Sequence, residues 1–355
     1  MEEHTQHLKV TIKKGIFDYI KSIAWFGIGL LVLVVMLVAA GEQSETSDVT
    51  YYDAHFTETA WEDVPENATL VGLISLRGEI SSKRSQDAFS SEPNGIDPES
   101  VRKVLSRIDE MGDIHAITVL VSSPGGQIAP SDSIWRQFQS FRQQKNIPLI
   151  FHTSDLMASG AYYFATAGDQ VYASRYADVG SIGVLAIRFN AQALMRDKLG
   201  VDVTVYKTGI YKGMGNPFEP ATQAEEDLIK SQMNDFNANF IDVVAKGRGL
   251  NADAVRQLAT GRVWSGKDAL NLGLVDAVLY RDELGDQLEK LLETTSPVYF
   301  VEYKTSKPIL LSFLEDSGIQ SLARQMGTLM SLGGASSAAT GLKAGSGTLR
   351  YLYQY

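Results

Sequence analysis

The chain of 355 residues carries 32 Lys plus Arg against 42 Asp plus Glu, has a formal net charge of -10, and contains no cysteine. Without cysteine, disulfide frameworks, thiol proteases, zinc ribbons and iron-sulfur sites are excluded. The acidic balance argues against a general nucleic-acid binder, which needs cationic surface to displace counterions from phosphate.

Residues 23–40 form an apolar run without a charge, long enough to cross a hydrocarbon core of about 30 Å as a helix. Lys9, Lys13, Lys14 and Lys21 precede it, and Glu42, Glu45, Asp48 and Asp53 follow. The positive-inside rule therefore predicts a cytoplasmic segment over residues 1–22, a single-pass anchor over 23–40, and an extracytoplasmic remainder. Val38, Ala39 and Ala40 also offer a signal-peptidase site, but the long segment ahead of the run favours an uncleaved anchor. Residues 41–67 are polar and acidic and read as a tether; a flexible stretch of that size reaches about 25 to 30 Å.

From residue 68 the pattern changes. Residues 68–76, 116–121 and 148–152 are apolar runs of strand length, and 201–205 is strand-like. Pro98–Met111 and residues 130–144 have helical spacing, the first with Val101, Val104, Leu105, Ile108 and Met111 on one face. Strands separated by helices predict an α/β core with a mostly parallel sheet. Residues 81–95 read as an exposed loop. Thr222 and Glu225 have the spacing of a capping box opening a long helix, which Gly247 and Gly249 end, and residues 251–258 read as a shorter helix. Residues 328–347 are rich in Gly, Ser and Ala, and the chain finishes in an apolar, aromatic peptide, 349–355.

Three glycine-bearing turns carry chemistry. Ser122-Ser123-Pro124-Gly125-Gly126 follows a strand and leaves backbone N-H groups free to face a ligand, as an oxyanion hole requires, although tight turns of this kind are commonly structural. Ala158-Ser159-Gly160-Ala161-Tyr162-Tyr163 puts a serine at a helix start, where it serves either as a cap or as a nucleophile. Tyr206-Lys207-Thr208-Gly209-Ile210-Tyr211-Lys212-Gly213 is a lysine pair in a glycine-bearing loop. Exposed lysines are usually only solvated.

Taken in order, with Val179-Gly180-Ser181-Ile182-Gly183-Val184, Asn216-Pro217-Phe218, and Gly261-Arg262-Val263-Trp264-Ser265-Gly266-Lys267-Asp268-Ala269 running to Gly273-Leu274-Val275-Asp276, these blocks resemble the signal peptide peptidases of the SppA and SohB type. The resemblance implies a ClpP/crotonase-like α/β fold behind the transmembrane helix, with the peptidase domain over 68–295 and a C-terminal extension over 296–355. It implies a serine/lysine dyad with Ser159 as nucleophile and Lys212 as base, oxyanion N-H groups from Gly126 and Gly160, and Ser181 as a helper hydrogen-bonded to the lysine amine. Lys207 is the competing base. No histidine follows His152, so the Ser-then-His order of ClpP itself cannot be built on Ser159. His152, on a predicted strand, reads as a structural histidine.

A lysine base works only when neutral, so a pKa near 10.4 must fall by about three units, a penalty of about 4 kcal/mol on the charged form. An exposed loop cannot desolvate its own lysine, whereas a neighbouring subunit can. The resemblance implies rings in which adjacent domains supply serine and lysine. The expected protein is then an ATP-independent endopeptidase of a bacterial or archaeal inner membrane that cleaves hydrophobic peptides such as remnant signal peptides, as a homo-oligomeric ring without metal or organic cofactor and without a nucleic-acid partner. Ser122, Gln127 and Ala161 depart from the family's usual residues and bear on rate and preference. The competing readings are a non-catalytic scaffold in a membrane protease complex and a crotonase-like acyl-CoA enzyme. Residues 349–355, apolar and tethered, read as a self-ligand or cleavage site, or else as a simple oligomer or membrane contact.

Overall fold

Two short strands, β1 (Val49–Tyr52) and β2 (Glu58–Thr59), open the part of the chain described by the computed structural model, which covers residues 49–82 and 95–303. The expected anchor, most of the 81–95 loop and the tail lie outside those residues. Among the described residues no helix is long and apolar enough to cross a membrane.

After β3 (Thr69–Arg77), α1 (Pro98–Met111) leads to β4 (Ala116–Ser122), and α2 (Ile128–Lys145) to β5 (Leu149–Thr153). Then follow β6 (Leu156–Ala158), the short helix α3 (Gly160–Ala165), β7 (Gln170–Ala173) and β8 (Asp178–Gly180). A long arm of little regular structure connects β8 to α4 (Gln223–Arg248). The rest is α5 (Ala252–Leu258), β9 (Val263–Ser265), α6 (Gly266–Asn271), β10 (Ala277–Val278), α7 (Leu284–Leu291) and β11 (Val298–Tyr303).

The main sheet runs β10-β7-β5-β4-β3-β11-β1-β2, parallel from β10 to β11 and antiparallel at β1 and β2. It is the mixed α/β architecture with a large parallel sheet that alternation of strands and helices predicts. The folded unit is larger than the sequence suggests. Residues 49–67, read as tether, add two edge strands, and β11 lies beyond the expected domain end at 295: Val49 pairs with Tyr303, and Phe300 with Val71. The pairing joins opposite ends of the described chain, so no local pattern announces it.

Alternation along the strands feeds two cores. Val71 and Leu73 face one side with Ile150, Tyr172 and Phe300, while Ile74 and Leu76 face the other with Val119 and Phe151. The second core holds the helices. On α1, Val101, Val104, Leu105 and Ile108 are buried at helical spacing, and Asp97 caps its start by accepting from the N-H groups of Glu99 (2.9 Å) and Ser100 (3.0 Å). Phe138 of α2, Phe151 of β5 and Phe164 of α3 pack mutually, with ring centroids 5.1 to 6.1 Å apart. Each buried ring contributes about 2 to 3 kcal/mol, and together they fix α3, whose start carries Ser159. The capping box forms as predicted: Glu225 accepts from Thr222 N (2.9 Å) and Thr222 Oγ1 from Glu225 N (3.3 Å).

The Gly273 to Asp276 block is structural. Asp276 accepts from Val171 N (2.7 Å) and bidentately from Arg248 (2.9 and 2.7 Å), and Tyr162 of α3 donates to Leu274 O (2.7 Å). These bonds tie the serine-bearing helix, β7 and α4 into one scaffold.

Candidate active site

The Pro-Gly-Gly turn lies against the Ser159 turn. Gly125 has φ of 95°, and a Cβ added there would lie 2.7 Å from Gly160 N and 2.7 Å from Ser159 Cβ. At Gly126 a Cβ would lie 2.1 Å from Ile80 O. Only glycines permit these approaches. Ile80 runs beside the turn, donating to Gly125 O (2.8 Å) and accepting from Gln127 N (2.9 Å), while the Gln127 side chain accepts from Ser82 N (3.1 Å) and Ser82 Oγ (3.0 Å). The N-H groups of Gly126 and Gly160 donate to no protein acceptor among the described residues. Both predicted oxyanion donors are thus unused and belong to turns in direct contact.

Ser159 occupies a strained turn between β6 and α3, with φ of 53° and ψ of -124°, a conformation costing on the order of 1–3 kcal/mol for a residue with a side chain. It is half-buried, its N-H donates to Gly180 O (2.7 Å), and its hydroxyl has no protein partner among the described residues. Ser181 follows that carbonyl, with φ of 50° and its N-H on Arg262 O (2.9 Å). The Arg262 to Ser265 block reaches the site as β9, antiparallel to β8, which is itself parallel to β6. The Ser159, Ser181 and Arg262 blocks therefore meet in one small three-stranded sheet, and the Pro-Gly-Gly turn touches Ser159 directly.

Among the described residues no hydrogen bond or ion pair links the Lys212 block to them. Lys212 lies in an exposed turn of the arm, its N-H bonded to Gly209 O (3.2 Å) and its side chain without a hydrogen bond or ion pair among the described residues. Residues 201–205, expected as a strand, are irregular: among the described residues no strand lies alongside to take their backbone bonds. The arm exposes much apolar surface: Leu185 is 80%, Phe189 77% and Ile210 69% accessible. Free-standing proteins rarely leave so many large apolar side chains in water.

His152 is a structural histidine. It is buried on β5 with Nε2 3.1 Å from Leu279 O, and burial, reinforced by the charge of Arg281 against the opposing effect of the Leu279 bond, pulls its pKa down to about 4. The folded state keeps it neutral, while the unfolded chain takes up a proton below about pH 6.5, so its contribution is complete above that pH and is lost as pH falls toward 4. The expected loss is about 3 kcal/mol. Urea unfolding at a series of pH values checks this: wild type should lose that much more than His152→Gln between neutrality and pH 4, and parallel curves would refute it.

The comparisons with known proteins place these blocks in a family. Residues 141–295 match peptidase family S49. A provisionally named signal peptide peptidase SppA of Enterococcus faecium is 30% identical over 286 residues, covering 78% of this chain and 81% of that protein. The chain belongs to peptidase family S49. Among other relatives of this S49 peptidase, the chloroplastic serine protease SPPA of Arabidopsis thaliana is 32% identical over 209 residues, 59% of this chain and 30% of that protein. Protease 4 of Haemophilus influenzae is 26% identical over 245 residues, 68% of this chain and 38% of that protein. The chain is a serine-type peptidase by this membership, and the family match takes in the Ser159, Ser181, Lys212 and Arg262 blocks.

Sequence reasoning missed two contacts beside these blocks. Ile80, just before the stretch read as loop, forms isolated bridges with Ile96 and Gly126 that brace the Pro-Gly-Gly turn, and its only signal is a single β-branched residue shortly after Gly78. The other is the partner of Lys207: its Nζ lies 3.0 Å from Glu219 Oε2.

Proposed function

We propose that this S49 peptidase hydrolyses hydrophobic peptides through a Ser159–Lys212 dyad, as a membrane-tethered ring on a ClpP/crotonase-like fold in which neighbouring copies complete each other's sites. The observation that carries the reading is the contact of the Gly125–Gly126 turn with Ser159, which brings a strained, unpartnered hydroxyl beside two unused N-H groups. In acylation the neutral Lys212 amine takes the Ser159 Oγ proton as Oγ bonds to the scissile carbonyl carbon. The oxygen becomes an anion held by Gly126 and Gly160 N-H. Collapse breaks the C-N bond, and the leaving amine receives the proton from Lys212. Water then attacks the acyl-enzyme with Lys212 again as base, releasing the acid and restoring Ser159. Ser181 assists by hydrogen-bonding the Lys212 amine.

The exposed turn of Lys212 and the apolar arm around it support a shared site. A neighbouring copy covering that arm would bury the apolar side chains and supply the roughly 4 kcal/mol desolvation a neutral lysine needs. Cleavage of signal-peptide remnants follows the name of the Enterococcus relative, and the 23–40 run supports an inner-membrane anchor with the catalytic unit outside.

Mixing tests this reading. Ser159→Ala and Lys212→Ala chains, each inactive alone on a hydrophobic peptide, should regain about one quarter of wild-type activity when refolded together in equal amounts, because one neighbour pair in four combines an intact serine with an intact lysine. No recovery in verified mixed assemblies would place both groups in one chain. Full activity of either variant alone would remove the dyad, and a correctly assembled wild type without activity would leave the scaffold reading.

A further inference from the structure

Lys207 and Glu219 close a ring around the turn that carries Lys212. Beyond its 3.0 Å bond to Glu219, the Lys207 ammonium packs on Gly213, the residue after Lys212: a Cβ there would lie 3.2 Å from Lys207 Cδ and 3.3 Å from Lys207 Nζ. Inside the ring the backbone is wound by Lys212 N to Gly209 O (3.2 Å), Met214 N to Tyr211 O (3.0 Å) and Asn216 N to Gly213 O (3.0 Å). From across the arm Arg188 donates to Asn216 O (3.1 Å) and Glu219 O (2.6 Å). Glu219 then leads into the Thr222 capping box of α4. The arm has few buried apolar side chains, so these polar ties set its shape.

We propose that the Lys207–Glu219 pair is a clasp that positions Lys212, making Lys207 a positioning residue and not a second base. The inference rests on the reading in which Lys212 is the base. Lysine has a long flexible stem, and its turn is exposed; unless the backbone beneath it is fixed, the amine samples many places, and a misplacement of about 1 Å costs on the order of 100-fold in rate. The clasp supplies that fixity at the adjoining residue. The Lys207 nitrogen is engaged by Glu219, whereas the Lys212 side chain has no partner among the described residues.

The test uses full-length Lys207→Met, Glu219→Gln and Lys207→Arg, with Lys212→Ala alongside, reading kcat, KM, assembly size and melting on a hydrophobic fluorogenic peptide across the pH range. The Met and Gln variants should lose at least about tenfold in kcat with KM within about twofold and assembly intact, and Lys207→Arg should recover most of the loss. Wild-type kcat in Lys207→Met overturns the clasp. So does a loss explained by failed assembly, or a total loss equal to that of Lys212→Ala without rescue by Arg, which would make Lys207 the base. Wild-type activity in Lys212→Ala would instead remove the reading beneath it, so the two failures are told apart.

Discussion

Ser159→Ala should lower peptide hydrolysis by about 10⁴-fold or more, Lys212→Ala by a similar factor, and the double variant by little beyond either alone. Groups that act in one proton transfer fail together, since a serine without its base and a base without its serine both leave water and the oxyanion donors as the only catalysts. The stability cost is small at both places: Ser159 Oγ makes no protein hydrogen bond among the described residues, and Lys212 is exposed. Unfolding midpoints should stay within about 1 kcal/mol of wild type. Single-turnover kinetics on a chromogenic ester separates the steps. Additive losses in the double variant would mean that the residues act in separate steps.

Gly125→Ala is the second large effect, and it acts through geometry alone. The added methyl would meet Gly160 N and Ser159 Cβ at 2.7 Å and Ala158 O at 2.8 Å, all of them backbone or the root of a side chain, and φ of 95° is itself unfavourable for alanine. The turns must separate. Displacing oxyanion donors costs about 10² to 10³ in kcat, and the overpacking with left-handed strain costs about 2 to 4 kcal/mol of stability. Gly112→Ala is the control: φ is 81°, but nothing lies within 4 Å of the added Cβ, so it should lose about 1 kcal/mol and no activity. Equal activity loss in the two variants would detach the turn from catalysis.

Where local physics decides, the sequence was readable. The helix over Pro98–Met111 appears with the predicted bounds because Pro at its first turn and apolar spacing agree, and the Thr222–Glu225 box forms because both groups satisfy each other's N-H. The order of glycine turns was legible too, since Gly125, Gly126 and Gly160 stand where a side chain would collide. Longer-range facts were not. Val49–Tyr52 became a strand because β11 offers an edge at the other end of the described chain, and residues 201–205 stayed irregular because no strand among the described residues offers them one. The Lys207–Glu219 clasp depends on how a turn folds back, which spacing does not encode.

Active-site labelling tests the central claim, that Ser159 is the nucleophile, most directly. Full-length protein treated with a fluorophosphonate and mapped by peptide mass spectrometry should carry the adduct on the Ser159 peptide, with labelling absent in Ser159→Ala and strongly slowed in Lys212→Ala. Undiminished labelling of Ser159→Ala, or an adduct mapped to another serine in the wild type, would contradict it.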